Sequence, residues 1–167
     1  MRRTTIRPVA EGDLAALTAI YNRYIAETPI TFDIEPYAVE ARRPWLAQFD
    51  EHGPHRCLVA QEGDAMLGWA ASMGFRSKAA YRTSVETSIY LAHGATGRGL
   101  GALLYRALFE ALEGEDLNRA YAGVTLPNAA SIALHERFGF ERLGVYSEVG
   151  HKFGRYWDVL WLEKPLR

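Results

Sequence analysis

The chain is short of cysteine. Cys57 is the single thiol among 167 residues, which excludes an internal disulfide. It lies in the apolar run Cys57-Leu58-Val59-Ala60, the setting of a buried strand residue more than of a nucleophile. Long apolar runs are missing too, and none approaches the length that spans a bilayer. The opening MRRTTIRPVAEGDL has basic residues with no apolar stretch behind them, so no secretory signal is expected and the expected location is the cytoplasm. Neither sign of charge is in surplus: 19 Lys and Arg against 20 Asp and Glu give a net charge of −1. Nothing there points to a nucleic-acid surface, and strongly cationic substrates find little support. Repeats, low-complexity tracts and linkers are absent, and the glycine-containing loops are too short to separate domains. A single domain over residues 1–167 is expected, long enough for a substantial core.

What is present reads as short strands alternating with amphipathic helices. Thr4–Pro8 is β-branched and closed by a proline, a first strand. Across residues 11–28, Leu14, Leu17, Tyr21 and Tyr24 recur at helical spacing. That helix should stop at Thr28, because the residue before Pro29 avoids helical geometry. The loop from Pro29 to Pro36 carries Phe32, which either covers the core or walls a pocket. A second helix is expected over Ala38–Glu51, with Trp45, Leu46 and Phe49 on its apolar side; Pro44 should kink it or mark a later start. Arg56–Gln61 and Ala65–Phe75 read as a hairpin across Glu62-Gly63-Asp64. The following connector holds Arg76, Lys78, Tyr81 and Arg82, either a solvated basic loop or part of a site. Arg119–Thr125, Phe140–Glu148 and Arg155–Leu162 read as further strands.

Two stretches carry chemistry. In the first, Ser84–Gly101, the alternating run Val85–Leu91 reads as a strand, followed by a loop with Gly94, Gly97 and Gly99. A helix then follows over Gly99–Glu113, with Leu100, Leu104, Ala107, Leu108 and Ala111 as its apolar face. Strand, glycine loop and helix N-terminus make an anion site: the first N–H groups of the helix have no partners and the dipole favours negative charge. The loop is neither a Walker loop nor a dinucleotide fingerprint, since no Gly-Lys-Ser/Thr follows and Leu104 stands where a third glycine would fall. In the second stretch, Leu126–Phe140, Asn128 is a good N-cap for a helix ending at Gly139. Asn128, Ser131 and His135 share one side of that helix, with Ala130, Leu134 and Phe138 as an apolar stripe beside them.

Thr96-Gly97-Arg98-Gly99-Leu100-Gly101 resembles the pyrophosphate loop Gln/Arg-x-x-Gly-x-Gly/Ala of the GNAT (Gcn5-related) N-acetyltransferases, with Thr96 in place of the usual first residue. The stretch Asn128 to Phe140 resembles the second signature of that superfamily, with His135 where many members have tyrosine. Within it, Thr31-Phe32-Asp33, Glu86-Thr87-Ser88, Leu126-Pro127-Asn128 and the run Val149–Val159 look like the phosphinothricin / methionine sulfoximine N-acetyltransferases. The resemblance implies an α/β (α+β) GNAT fold: a central mixed, mostly antiparallel twisted sheet of about seven strands with about four helices. It implies acetyl-CoA as acetyl donor, an amino-acid-like acceptor acetylated on its α-amino group, no metal, and a homodimer. It also implies cofactor contacts at Ile89, Tyr90 and Leu91, from Thr96 through Gly97, Arg98, Gly99, Leu100 and Gly101 to Ala102, and at Asn128 and Ser131.

Acetyl transfer to an amine needs a base, because an ammonium has no lone pair. Glu86 is the candidate: an acid in a run otherwise neutral, where a carboxyl's pKa should rise. The bland alternative is a half-exposed strand glutamate. His135 is expected to serve the leaving thiolate or relay the amine proton, the alternative being a helix histidine bonded to backbone. Arg76 and Arg82 are the nearby guanidinium groups for a substrate carboxylate, and Tyr81 and Phe32 the expected walls of the side-chain pocket. Other readings are a GNAT enzyme for another small amine or a protein N-terminus, and a non-catalytic acyl-CoA-binding sensor.

Overall fold

The computed structural model describes residues 3–167. Its centre is a seven-stranded sheet in the order β1-β2-β3-β4-β5-β7-β6. The strands are β1 (Thr4–Pro8), β2 (Cys57–Glu62), β3 (Ala65–Gly74), β4 (Ser84–Leu91), β5 (Arg119–Thr125), β6 (Glu141–Lys152) and β7 (Arg155–Pro165). Every neighbouring pair is antiparallel except β4 and β5. The helices are α1 (Leu14–Glu27), α2 (Arg43–Leu46), α3 (Leu100–Ala111) and α4 (Ala129–Arg137). None is long and apolar enough to cross a membrane. The mixed, mostly antiparallel sheet and the helix count match the expected fold.

Two apolar clusters sit on opposite faces of the sheet. One packs α3 against the central strands through Leu100, Leu104, Leu108, Val85, Ala120 and Leu162. The other packs α1 through Leu14, Leu17, Ile25, Val59 and Trp69. Alternation along β4 divides its side chains between them: Val85 and Thr87 are buried towards α3, while Glu86, Ser88 and Tyr90 face α1 and α2. Fully burying one such leucine contributes about 1.5–3 kcal/mol, so each helix is fixed chiefly by its apolar stripe.

Three expectations need correction. The helix expected over Ala38–Glu51 shrinks to a 3₁₀ turn at Val39–Arg42 and the single turn α2. Pro44 sits in its first turn, where a missing N–H is harmless, so it marks a later start. Ala130 is exposed and leaves the apolar stripe of α4; Ile132, Leu134 and Phe138 meet the core instead. β6 runs on to Lys152 through an irregularity between Tyr146 and Gly150, so the expected stop at Glu148 is a kink with φ +51° there.

Candidate active site

The site begins where the sheet splits. β4 and β5 pair only over Ser84–Glu86 and Arg119–Tyr121. Beyond Glu86 both strands continue unpaired with each other, to Leu91 and Thr125. The gap leaves strand backbone facing a cleft of about 210 Å³, bordered by Glu86, Ile89, Val124, Asn128, Ser131 and His135. Phe32 also lines this cleft and does not border the larger cavity on the α1 side described below. The Phe32 ring rests on Gly150, where a Cβ would meet it at 2.3 Å.

The glycine loop lies at the end of β4. Gly97 and Gly99 have φ near +74° and +75°, and Gly99 is the N-cap of α3 with no side-chain cap. The leading N–H groups of α3 are therefore left for an anion. Gly101 differs from these two. A Cβ there would lie 3.1 Å from Leu134, so the bare backbone lets α3 and α4 approach closely. Arg98 pairs with Glu62 at 3.2 Å instead of standing free in the loop. Thr96 and Leu91 border a groove of about 490 Å³ along α1. Tyr24 of α1 donates to the Leu91 carbonyl at 2.7 Å and accepts from its N–H at 3.3 Å, so that backbone position is already engaged.

Asn128 caps α4 as expected, accepting from the Ser131 N–H at 3.2 Å. His135 is buried at 3% exposure and both its ring nitrogens are occupied. Nδ1 lies 2.7 Å from the Ser131 carbonyl, an acceptor only, so Nδ1 carries the proton. Nε2 then accepts from the Tyr105 hydroxyl at 2.8 Å. Burial pulls the imidazole's pKa down, which keeps it neutral. Thr87 Oγ1 lies 3.4 Å from the same Tyr105 hydroxyl. Tyr105 was not legible as a site residue: it sits on the apolar side of α3 and reads as core.

Glu86 occupies the middle of the site. Burial raises its carboxyl pKa, and the charge of Arg76 opposes that rise. Arg76 lies over the Phe75 ring, 4.8 Å from its centroid. Tyr81 stands edge-on to the same ring at 5.8 Å. Neither arginine borders the cleft: Arg76 lines a separate hollow with Phe75, Tyr121 and Trp161, its charge still felt at Glu86, and Arg82 pairs with Asp116 at 2.8 Å on an exposed surface. The connector turns at Ala79–Tyr81 and points the two arginines to different neighbours.

Glu86, Ser88 and Tyr90 also border a second cavity, of about 430 Å³, on the α1 and α2 side. Its other walls include Tyr21, Asp33, Tyr37, Arg42, Trp45 and Trp69. The loop bearing Asp33 is held by two side chains. Tyr21 Oη meets Thr31 Oγ1 at 2.7 Å and donates to Asp33 Oδ2. Lys152, buried at the end of β6, donates to the carbonyls of Thr28 and Thr31 at 2.8 Å each. None of these tertiary contacts has a local sequence signal.

The Acetyltransferase (GNAT) domain model matches residues 6–161 of this chain. A phosphinothricin N-acetyltransferase of Streptomyces coelicolor is 58% identical, over 96% of this chain and 95% of the relative. An L-methionine sulfoximine/L-methionine sulfone acetyltransferase of Pseudomonas aeruginosa is 32% identical, over 97% and 94%. Among solved structures, a GNAT superfamily phosphinothricin acetyltransferase of Sinorhizobium meliloti in complex with acetyl-CoA superposes with a TM-score of 0.87. It is 30% identical and the match covers 97% of this chain and 88% of that one. The split between β4 and β5, the glycine loop on α3 and this similarity over almost the whole chain place the protein in the GNAT family, as an N-acetyltransferase.

Proposed function

We propose that the enzyme transfers the acetyl group of acetyl-CoA to the α-amino group of a small amino acid of the phosphinothricin or methionine sulfoximine type. The observation that carries this reading is that Glu86 borders two cavities, one on each side of β4. Two substrates entering from opposite sides would meet at that carboxylate. Acetyl-CoA supplies the activated thioester. The unpaired backbone of β4 near Ile89 and Tyr90 and the head of α3 at Gly99–Ala102 fit its pantetheine and pyrophosphate, with Asn128 and Ser131 flanking the cleft. Backbone N–H groups along that strand are suited to the oxyanion of the tetrahedral intermediate.

Glu86 takes the ammonium proton, and its raised pKa suits a base working near neutrality. His135 acts on the cleft through the Tyr105 hydroxyl, because its own nitrogens are spoken for. Arg76 receives the acceptor's carboxylate; Arg82, paired with Asp116, does not. Thiol release from acetyl-CoA, followed with a thiol reagent in the presence of phosphinothricin, methionine sulfoximine or methionine sulfone, tests the reading. Turnover above the acceptor-free background is expected with at least one of them. Turnover only with polyamines or peptides would sink it.

A homodimer belongs to the same proposal. The edge strand β6 has one sheet neighbour, and Leu143, Val145, Tyr146 and Val149 along it are about half exposed. An exposed apolar edge of this kind invites a partner. Light scattering behind a sizing column should give twice the chain mass, and a charged residue at Val145 should return it to one.

A further inference from the structure

The second cavity holds a buried cation that touches no carboxylate. Arg42 is 6% exposed, and its Nε is buried without a hydrogen-bond partner. Among the described residues it forms no ion pair. Its guanidinium lies 4.3 Å from the Tyr21 ring centroid, 5.4 Å from Tyr37 and 4.1 Å from Trp45. Aromatic faces offset part of the desolvation of a cation but accept no directional hydrogen bonds. Trp69, on the same cavity, also has a buried Nε1 with no partner. Two orphaned donors on one aromatic-walled cavity call for acceptor atoms from outside the chain. Two acids face the same space: Asp33, which takes the Tyr21 hydroxyl, and Glu86.

We infer that the aromatic box around Arg42 receives the distal head of the acceptor amino acid and selects a head carrying acceptor oxygen. The inference rests on the amino-acid acceptor proposed above. With the amine at Glu86, a side chain running into this cavity brings its far end to Arg42. A sulfone or sulfoximine oxygen accepts from the guanidinium, and the methyl and methylene groups lie against Trp45 and Trp69. A sulfoximine also carries an N–H, which Asp33 is placed to accept. A thioether offers neither group, so it leaves the donors unsatisfied, the circumstance in which polar pockets discriminate most strongly. A phosphinate satisfies Arg42 but brings a negative charge to a space already bordered by Asp33 and Glu86, so the box favours a neutral oxygen-bearing head.

The test compares methionine, methionine sulfone, methionine sulfoximine and phosphinothricin on the wild type and Arg42→Met. Expected is a fall in kcat/KM of about 10- to 100-fold for the sulfone and sulfoximine, with methionine within twofold and the acetyl-CoA KM unchanged. Asp33→Asn should narrow the preference for sulfoximine over phosphinothricin. An equal loss for all four acceptors, or none, overturns the inference. Arg42→Lys keeps the charge but not the planar fork, and should give a smaller loss in the same order; it decides the matter if the Met variant melts at assay temperature. Quenching of tryptophan fluorescence by methionine sulfoximine, without acetyl-CoA, separates the two proposals. If the wild type acetylates none of these amino acids, the acceptor reading fails. Saturable quenching lost in Arg42→Met would still support the box, and its absence in the wild type would overturn it.

Discussion

The two cavities that meet at Glu86 are built in opposite ways. The cleft between β4 and β5 stands on regular elements, and the polar groups on its α4 side are satisfied within the chain: Asn128 caps α4, and the Ser131 carbonyl, His135 and Tyr105 form a chain of hydrogen bonds. The cavity under α2 stands on a loop, a 3₁₀ turn and one turn of helix, and it keeps two donors without partners. A polar network satisfied inside the chain is rigid and indifferent to what enters. An unsatisfied one is held ready for a particular ligand. Under the proposed function, the first cavity serves the common step of the reaction and the second the choice of acceptor.

The sharpest way to break that division is at the residue both cavities share. Glu86→Gln keeps shape and hydrogen bonding but cannot take the proton, so kcat should fall about 10²- to 10⁴-fold while the acetyl-CoA KM stays put. Retained kcat at neutral pH would place the base elsewhere. Burial raises the Glu86 pKa, so the acidic limb of kcat/KM in the wild type should lie above the ordinary carboxylate range. Next in size is Arg76→Ala. It should raise the acceptor KM by about 10- to 100-fold, as expected for a lost charged hydrogen bond. It also removes the charge that holds the Glu86 pKa down, so the acidic limb should move to higher pH. A limb that stays in place would separate Arg76 from the base.

A residue on the donor side should give the mirror image. Gly99 has open space around it but a φ that side chains rarely adopt, so Gly99→Val strains the head of α3 without a clash. The acetyl-CoA KM should rise about tenfold with the acceptor KM unchanged; the reverse would reassign the loop. Smaller still, Lys152→Met should raise only the acceptor KM, about three- to tenfold, by freeing the loop that carries Asp33. Two carbonyls lose their donor, and melting should register a loss of about 1–3 kcal/mol. The least effect belongs to Arg82→Ala. Its ion pair is exposed, and both KM values should stay within twofold.

The same contrast explains what could be read in the sequence. The cleft between β4 and β5 is built on periodic elements: alternation gave β4, a 3.6-residue repeat gave α3, and the glycines and Asn128 marked the turns between them. Positive-φ glycines and caps act on immediate neighbours, so local spacing suffices. The cavity under α2 depends on contacts across the chain. Lys152 reaches Thr28 from the far end of the sheet, and no spacing links them. Arg42 and Arg43 are adjacent and alike in sequence; one is buried in an aromatic box, and the other pairs with Glu40 on the surface. Arg82 misled for the same reason, since proximity to Glu86 in sequence did not survive the turn at Ala79–Tyr81.

The short pairing of β4 with β5 has a consequence for how the molecule breathes. Strands β1 to β4 and strands β5 to β7 are each antiparallel ladders, and three residue pairs join them within the sheet. The backbone amides on either side of that seam are the natural place for the sheet to open without unfolding, and they should exchange with deuterium sooner than the ladders around them. A ligand lying in the gap stitches one ladder to the other. Its arrival should therefore slow exchange on both sides together, and an acetyl donor seated there as proposed would complete the sheet.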